Sequence, residues 1–94
     1  MKKINLDKSI VDLNQKELKD ENGNTLTLAK TLGNFFAGAN TEEPGKYIAW
    51  AVSLMTEGVI KVDDTDKNKI LDLIKTHKGM TNILKHQLIT EISK

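Results

Sequence analysis

The chain has 94 residues, 38% of them apolar and 29% charged, with fourteen basic and thirteen acidic side chains and a net charge of +1. That length supports one domain, here residues 1–94, and one modest core. The near-balance of charge removes any global field toward nucleic acid or an anionic membrane, and the absence of cysteine removes disulfides, zinc ribbons and thiol nucleophiles.

Ile4 and Leu6 alternate with Lys3, Asn5 and Asp7, the pattern of a half-buried strand. Glu17–Lys19 and Thr25–Thr27 then flank Asn22-Gly23 and predict a β-hairpin whose two-residue primed turn needs positive φ at both central positions. Leu18 faces either Leu26 or Leu28, depending on register. No internal repeat is evident.

Thr27 is placed to cap a first helix carrying Leu28, Leu32, Phe35, Phe36 and Ala39 on one stripe, ended by Gly38 and Asn40. Gly33 inside it costs about 1 kcal/mol relative to Ala, which a close helix contact would explain. A second helix follows with Pro44 in its first turn and Glu42 and Glu43 near its positive end. Its expected buried stripe is Ile48, Ala51, Val52 and Met55, with Tyr47 and Trp50 beside it and Gly58 as the stop. Val59–Val62 is β-branched and predicts a short strand.

Asp63 or Asp64 opens a third helix with Ile70, Leu73, Ile74 and His77 inward, and Gly79 is its expected left-handed stop. Thr81 caps a fourth, with Ile83, Leu84, Leu88 and Ile92. A link of two or three residues makes these two an antiparallel hairpin. The expected class is therefore α+β: an N-terminal β-hairpin element, with a short extra strand near 59–62, packed on about four helices.

Candidate chemistry fails on spacing. Asp64-Thr65-Asp66-Lys67-Asn68 opens like a calcium loop, but the sixth and twelfth positions hold Lys69 and Lys75 where Gly and Glu are needed. Gly45-Lys46-Tyr47 lacks the upstream Gly and the hydroxyl of a phosphate loop. His77 and His86 are the only histidines and have no partner at a motif spacing; His77 suits a helix C-terminus. Every basic residue is Lys, so the bidentate fork used to read guanine and phosphate is missing. The strands carry no aromatics for RNA stacking. No stretch is long enough to span a bilayer, and no apolar run follows the basic start as a signal peptide needs. The expectation is a non-enzymatic protein without metal or cofactor, acting on a protein partner and not on nucleic acid or membrane, in a monomer–dimer equilibrium. Core packing is the default for Tyr47 and Trp50; the alternative makes them partner-binding anchors.

Lys16-Glu17-Leu18, Asn22-Gly23, the run Leu26 to Asn34 and the run Val59 to Asp64 together resemble small proteins encoded in phages and prophages. Asp12-Leu13-Asn14-Gln15-Lys16 matches their opening strand with Gln15 where Gly is usual, and Ala29 also stands where Gly is usual. The family has no established activity, so no functional residue transfers. The resemblance implies an accessory protein in the cytoplasm of a bacterial host, working through protein contacts in virion assembly. The alternative is a regulator or inhibitor of a host protein, which a markedly acidic surface would favour.

Overall fold

A computed structural model describes residues 2–94. Six elements follow in order: β1 (Lys2–Asn5), α1 (Leu28–Gly38), α2 (Pro44–Thr56), β2 (Val59–Val62), α3 (Asp64–Thr76) and α4 (Asn82–Ile92). The class is α+β, with α3 and α4 forming a C-terminal helical hairpin. β1 and β2 pair antiparallel, Ile4 opposite Ile60 and Lys2 opposite Val62. Their inner side chains Ile4, Ile60 and Val62 enter the core with Leu32, Phe36, Leu54, Ile70, Ile74, Leu88 and Ile92.

Between β1 and α1 the chain makes two tight turns of the same design, eight residues apart. At the second, Asp20 O accepts from Gly23 N at 3.1 Å, and the Asp20 carboxylate accepts from the amides of Asn22 (2.9 Å) and Asn24 (3.0 Å). Gly23 alone takes positive φ, at 82°, and Asn22 does not. The hairpin turn is therefore a three-residue loop with a glycine bulge, not the expected two-residue primed turn. The Asp20 side chain decides this, because it satisfies amides that a primed turn would leave open. At the first turn the Asp12 carboxylate accepts from Asn14 (2.8 Å) and Lys16 (3.0 Å), Asp12 O accepts from Gln15 N at 3.0 Å, and Gln15 takes φ 65°. A short structural repeat thus exists where none was expected: its two copies share these hydrogen bonds and the sparse pattern Asp12, Asn14, Leu18 repeated as Asp20, Asn22, Leu26, with the residues between them different.

The legs between these turns close on one another. Leu18 N donates to Ile10 O (2.8 Å), Leu26 N to Leu18 O (2.9 Å) and Ile10 N to Leu26 O (2.9 Å). Lys19 bridges Thr25, so the hairpin is present as a single bridge and Leu18 faces Leu26. This coil seats the helices. The Lys8 and Leu6 carbonyls accept from Leu28 and Ala29 at 2.9 Å, and Thr27 Oγ1 accepts from Lys30 N at 3.2 Å, so three otherwise orphan amides of α1 are satisfied. On α4, the Gln87 carboxamide clasps Val11, accepting from its amide (3.1 Å) and donating to its carbonyl (2.9 Å).

The ends of the later helices divide between expectation and correction. Asp63 caps α3, accepting from Asp66 N at 2.8 Å, and Thr81 caps α4. α3 stops at Thr76 with His77 extended, and Gly79 is not left-handed; its amide donates to His77 Nδ1 at 3.0 Å. The imidazole thus closes the turn in place of a glycine cap. The α3–α4 link spans residues 77–81, longer than expected. Gly58, after α2, does take positive φ, at 75°, and a Cβ there would lie 2.6 Å from Asp7 Cβ. Its carbonyl accepts from Leu6 N at 2.8 Å, which ties the end of α2 to the N-terminal segment.

Candidate functional site

The second helix is apolar around most of its circumference, and two stripes share it. Tyr47, Trp50, Ala51 and Leu54 lie at i, i+3, i+4 and i+7; Ile48, Ala51, Val52 and Met55 lie on the same spacing one residue later. The structure buries the first set, with Tyr47 7% and Trp50 9% exposed. It leaves Ile48, Val52 and Met55 outside, at 47%, 57% and 46% exposure. The expected stripe is reversed, and only Ala51 belongs to both.

The aromatic rings explain the choice. Phe36 of α1 meets Tyr47 edge-on at 5.1 Å and Trp50 at 6.0 Å, and Tyr47 meets Trp50 edge-on at 5.0 Å. Aromatic pairs add to the area they bury, so seating this trio outweighs seating Ile48, Val52 and Met55. Tyr47 and Trp50, the candidate partner-binding residues, are therefore core residues and do not form the exposed face. Burial raises the Tyr47 phenol above its ordinary 10.0.

The exposed face is built by two helices. α1 approaches α2 at Gly33, where a Cβ would lie 3.2 Å from Met55 Sδ and 3.3 Å from the Ala51 carbonyl. The close helix contact that explains this mid-helix glycine is thus present. Between the helices lies an open depression of about 370 Å³, lined by Gly33, Ala37, Ile48, Ala51, Val52 and Met55 together with Asn34 and Thr56. Residues 31–41 and 47–56 contain no charged side chain in a chain that is 29% charged. Periodicity alone could not show the face; this gap in charge could.

Charged groups gather elsewhere. Behind α2, Lys46 binds the buried Asp66 at 2.7 Å, and Glu43 binds Lys69 at 2.9 Å and Lys46 at 3.5 Å. The Asp66 hydrogen bond raises Lys46 above 10.5, and Lys69, ahead of Lys46, holds Glu43 below 4.5. Asp66 is thus turned to a lysine and Asp63 is spent as a cap, so the Asp64–Asn68 segment serves α3. Among the described residues no three His, Cys, Asp or Glu converge on a metal-sized site.

His77 and His86 line separate depressions. His77 stands edge-on to Phe35 at 4.6 Å, while His86 flanks a groove of about 370 Å³ between the Asp12–Gln15 turn and α4, shared with Leu13 and Ile83. On the outer face of the sheet Lys3 lies directly opposite Lys61; Lys2, on the same side of β1 as Ile4, is held below 10.5 by lost hydration and then by Lys67, with Asp64 opposing. Among the described residues no helix is long and apolar enough to cross a membrane. Comparison of the chain with protein-family models, curated proteins and solved structures gives no match.

Proposed function

We propose that this chain works by protein contact through the α1–α2 face, as a non-enzymatic accessory protein of a phage or prophage, in virion assembly inside the bacterial host. The observation that carries the contact is the exposed Ile48–Val52–Met55 stripe over a depression whose lining residues carry no charge. Protein interfaces are depleted of charge at their centre and enriched in Met, and contiguous exposed apolar surface is a mark of an interaction site. The core closes without these residues, so folding does not account for them. The phage setting rests on the sequence resemblance, carried by the Asp12–Lys16 and Leu26–Asn34 segments. Gln15 at positive φ suits it, since that position is where the family has Gly.

The test places a photo-cross-linking phenylalanine analogue at Val52 or at Asn68, an exposed position on α3, in bacteria producing the particles. Adducts from position 52 and none from position 68 are expected. No adduct from position 52, or equal adducts from both, refutes the reading.

A further inference from the structure

We propose that the open edge and outer face of the β1–β2 sheet dock an extended acidic segment of a protein partner, added as a third strand beside β1 with its carboxylates on the side of Lys3 and Lys61. The site shares no residue with the α1–α2 face, so each stands or falls alone.

Strand order leaves the edge. The sheet has two strands, in the order β1–β2. Leu6 N donates to Gly58 O at 2.8 Å and continues the register that sets Ile4 opposite Ile60 and Lys2 opposite Val62. In an antiparallel ladder hydrogen-bonded pairs alternate with open ones. Lys2, Ile4 and Leu6 therefore bond toward β2, and Lys3 and Asn5 direct their amides and carbonyls away from it. Both are exposed. Among the described residues no main-chain group outside the sheet bonds either one. Their donors and acceptors are left for an added strand.

Charge decides the kind of strand. Lys3 stands directly opposite Lys61 in an open pair, where side chains come closest. Like charges so placed destabilise a sheet, and folding alone gives no reason for them. The ion pairs of the chain take Lys8, Lys46, Lys69 and Lys94; among the described residues Lys3 and Lys61 have none. A carboxylate on a strand beside β1 supplies the missing counter-charge.

The same features choose among anions. Asp7 follows β1 and Asp63 follows β2, so acid brackets the lysines at both ends of the antiparallel pair. A nucleic-acid strand, charged at every phosphate, meets those carboxylates and has no peptide groups to pair with the edge. A peptide with one or two acidic residues satisfies both. A second copy of β1 does not, because its own edge residues would bring another Lys3 to a face that already holds two lysines.

Titration of the intact, isotope-labelled chain with the end-capped peptide Thr-Glu-Val-Glu-Thr tests the proposal by NMR. The glutamates of this probe fall on one face of a strand. Saturable binding is expected, with the amides of Lys3 and Asn5 shifting most and the affinity falling as salt is raised. Thr-Gln-Val-Gln-Thr binds about fivefold more weakly, the scale of a few exposed ion pairs. Glu-Glu-Val-Thr-Thr, of the same composition with its acids on opposite faces, loses affinity as well. Lys3→Glu and Lys61→Glu each abolish binding. Lys3→Glu at the same time raises the melting temperature, since it turns a like-charge pair into an opposite one, and this separates loss of the site from loss of the fold. Absence of saturation, binding that survives either charge reversal, shifts centred away from β1, or equal affinity for the rearranged peptide overturns the proposal. Tighter binding of oligothymidylate than of the acidic peptide also overturns it and makes nucleic acid the occupant.

Discussion

The twin turns make a prediction whose sign is set by one backbone angle. Gln15 and Gly23 occupy equivalent places, each the fourth residue of a turn opened by Asp12 or Asp20, at φ 65° and 82°. A side chain in the left-handed region costs about 1–2 kcal/mol. Glycine there removes that cost but adds about 0.5–1 kcal/mol of chain entropy lost on folding. Gln15 is exposed, so little packing is lost with its side chain. The net for Gln15→Gly is a gain of about 0.5–1 kcal/mol. In a domain of this size each kcal/mol moves Tm by about 4–8 °C, so the rise is roughly 2–8 °C.

The mirror variant calibrates the first. Gly23→Gln adds a side chain where no atom lies within 4 Å of the new Cβ, so backbone strain is its only cost. It lowers stability by about the same 0.5–1 kcal/mol. Thermal melts by circular dichroism give the shifts, and urea unfolding with an unchanged m-value shows that they are changes in stability and not in the compactness of either state. A Gln15→Gly protein that melts at or below the parent refutes the equivalence of the two turns and the strain at Gln15.

Gly58→Ala combines positive φ with a Cβ 2.6 Å from Asp7 Cβ, and is expected to lose about 2–4 kcal/mol in urea unfolding, from αL strain and overpacking together; a loss under 1 kcal/mol contradicts the close approach of α2 to the N-terminal segment. Acid stability should depend on Glu91. Lys8 first and Lys94 second hold its carboxyl below the ordinary 4.5. A depressed folded pKa gives stability that is complete above the unfolded value near 4.5 and lost as pH falls through the lower folded value. Glu91→Gln therefore lowers stability at pH 7 and flattens the fall in Tm below pH 4.5; an unchanged acid slope shows the ion pairs contribute nothing.

Local rules in the sequence reach far into this fold and stop at identifiable places. Thr27, Asp63 and Thr81 are caps because each is a short polar side chain just before an apolar helical period, and each accepts the amide three residues on. Val59–Val62 is a strand because its residues are β-branched, but its partner β1 lies more than fifty residues away, and no local pattern specifies that pairing. The Asn22-Gly23 turn is located correctly and typed wrongly, because the Asp20 carboxylate, two residues upstream, selects among turns that all admit Asn-Gly. At the end of α3, a histidine nitrogen takes over what Gly79 was expected to do.

The reversal on α2 is of another kind, since there the local rules tie. Two stripes one residue apart satisfy the same helical period, and Ala51 serves both. Only packing volume separates them: three aromatic rings fill the space against α1, and Ile48, Val52 and Met55 are displaced outward. A helix apolar all round belongs in an interior; when its own domain covers only one side, the other side lacks a partner. The surplus is legible in the amino-acid sequence, as ten consecutive residues without charge from Tyr47 to Thr56. A single face of that helix needs only four of them for the core. The ambiguity that hid the core of α2 and the surface assigned to protein contact therefore have one cause, more apolar sequence on this helix than one copy of the chain can bury.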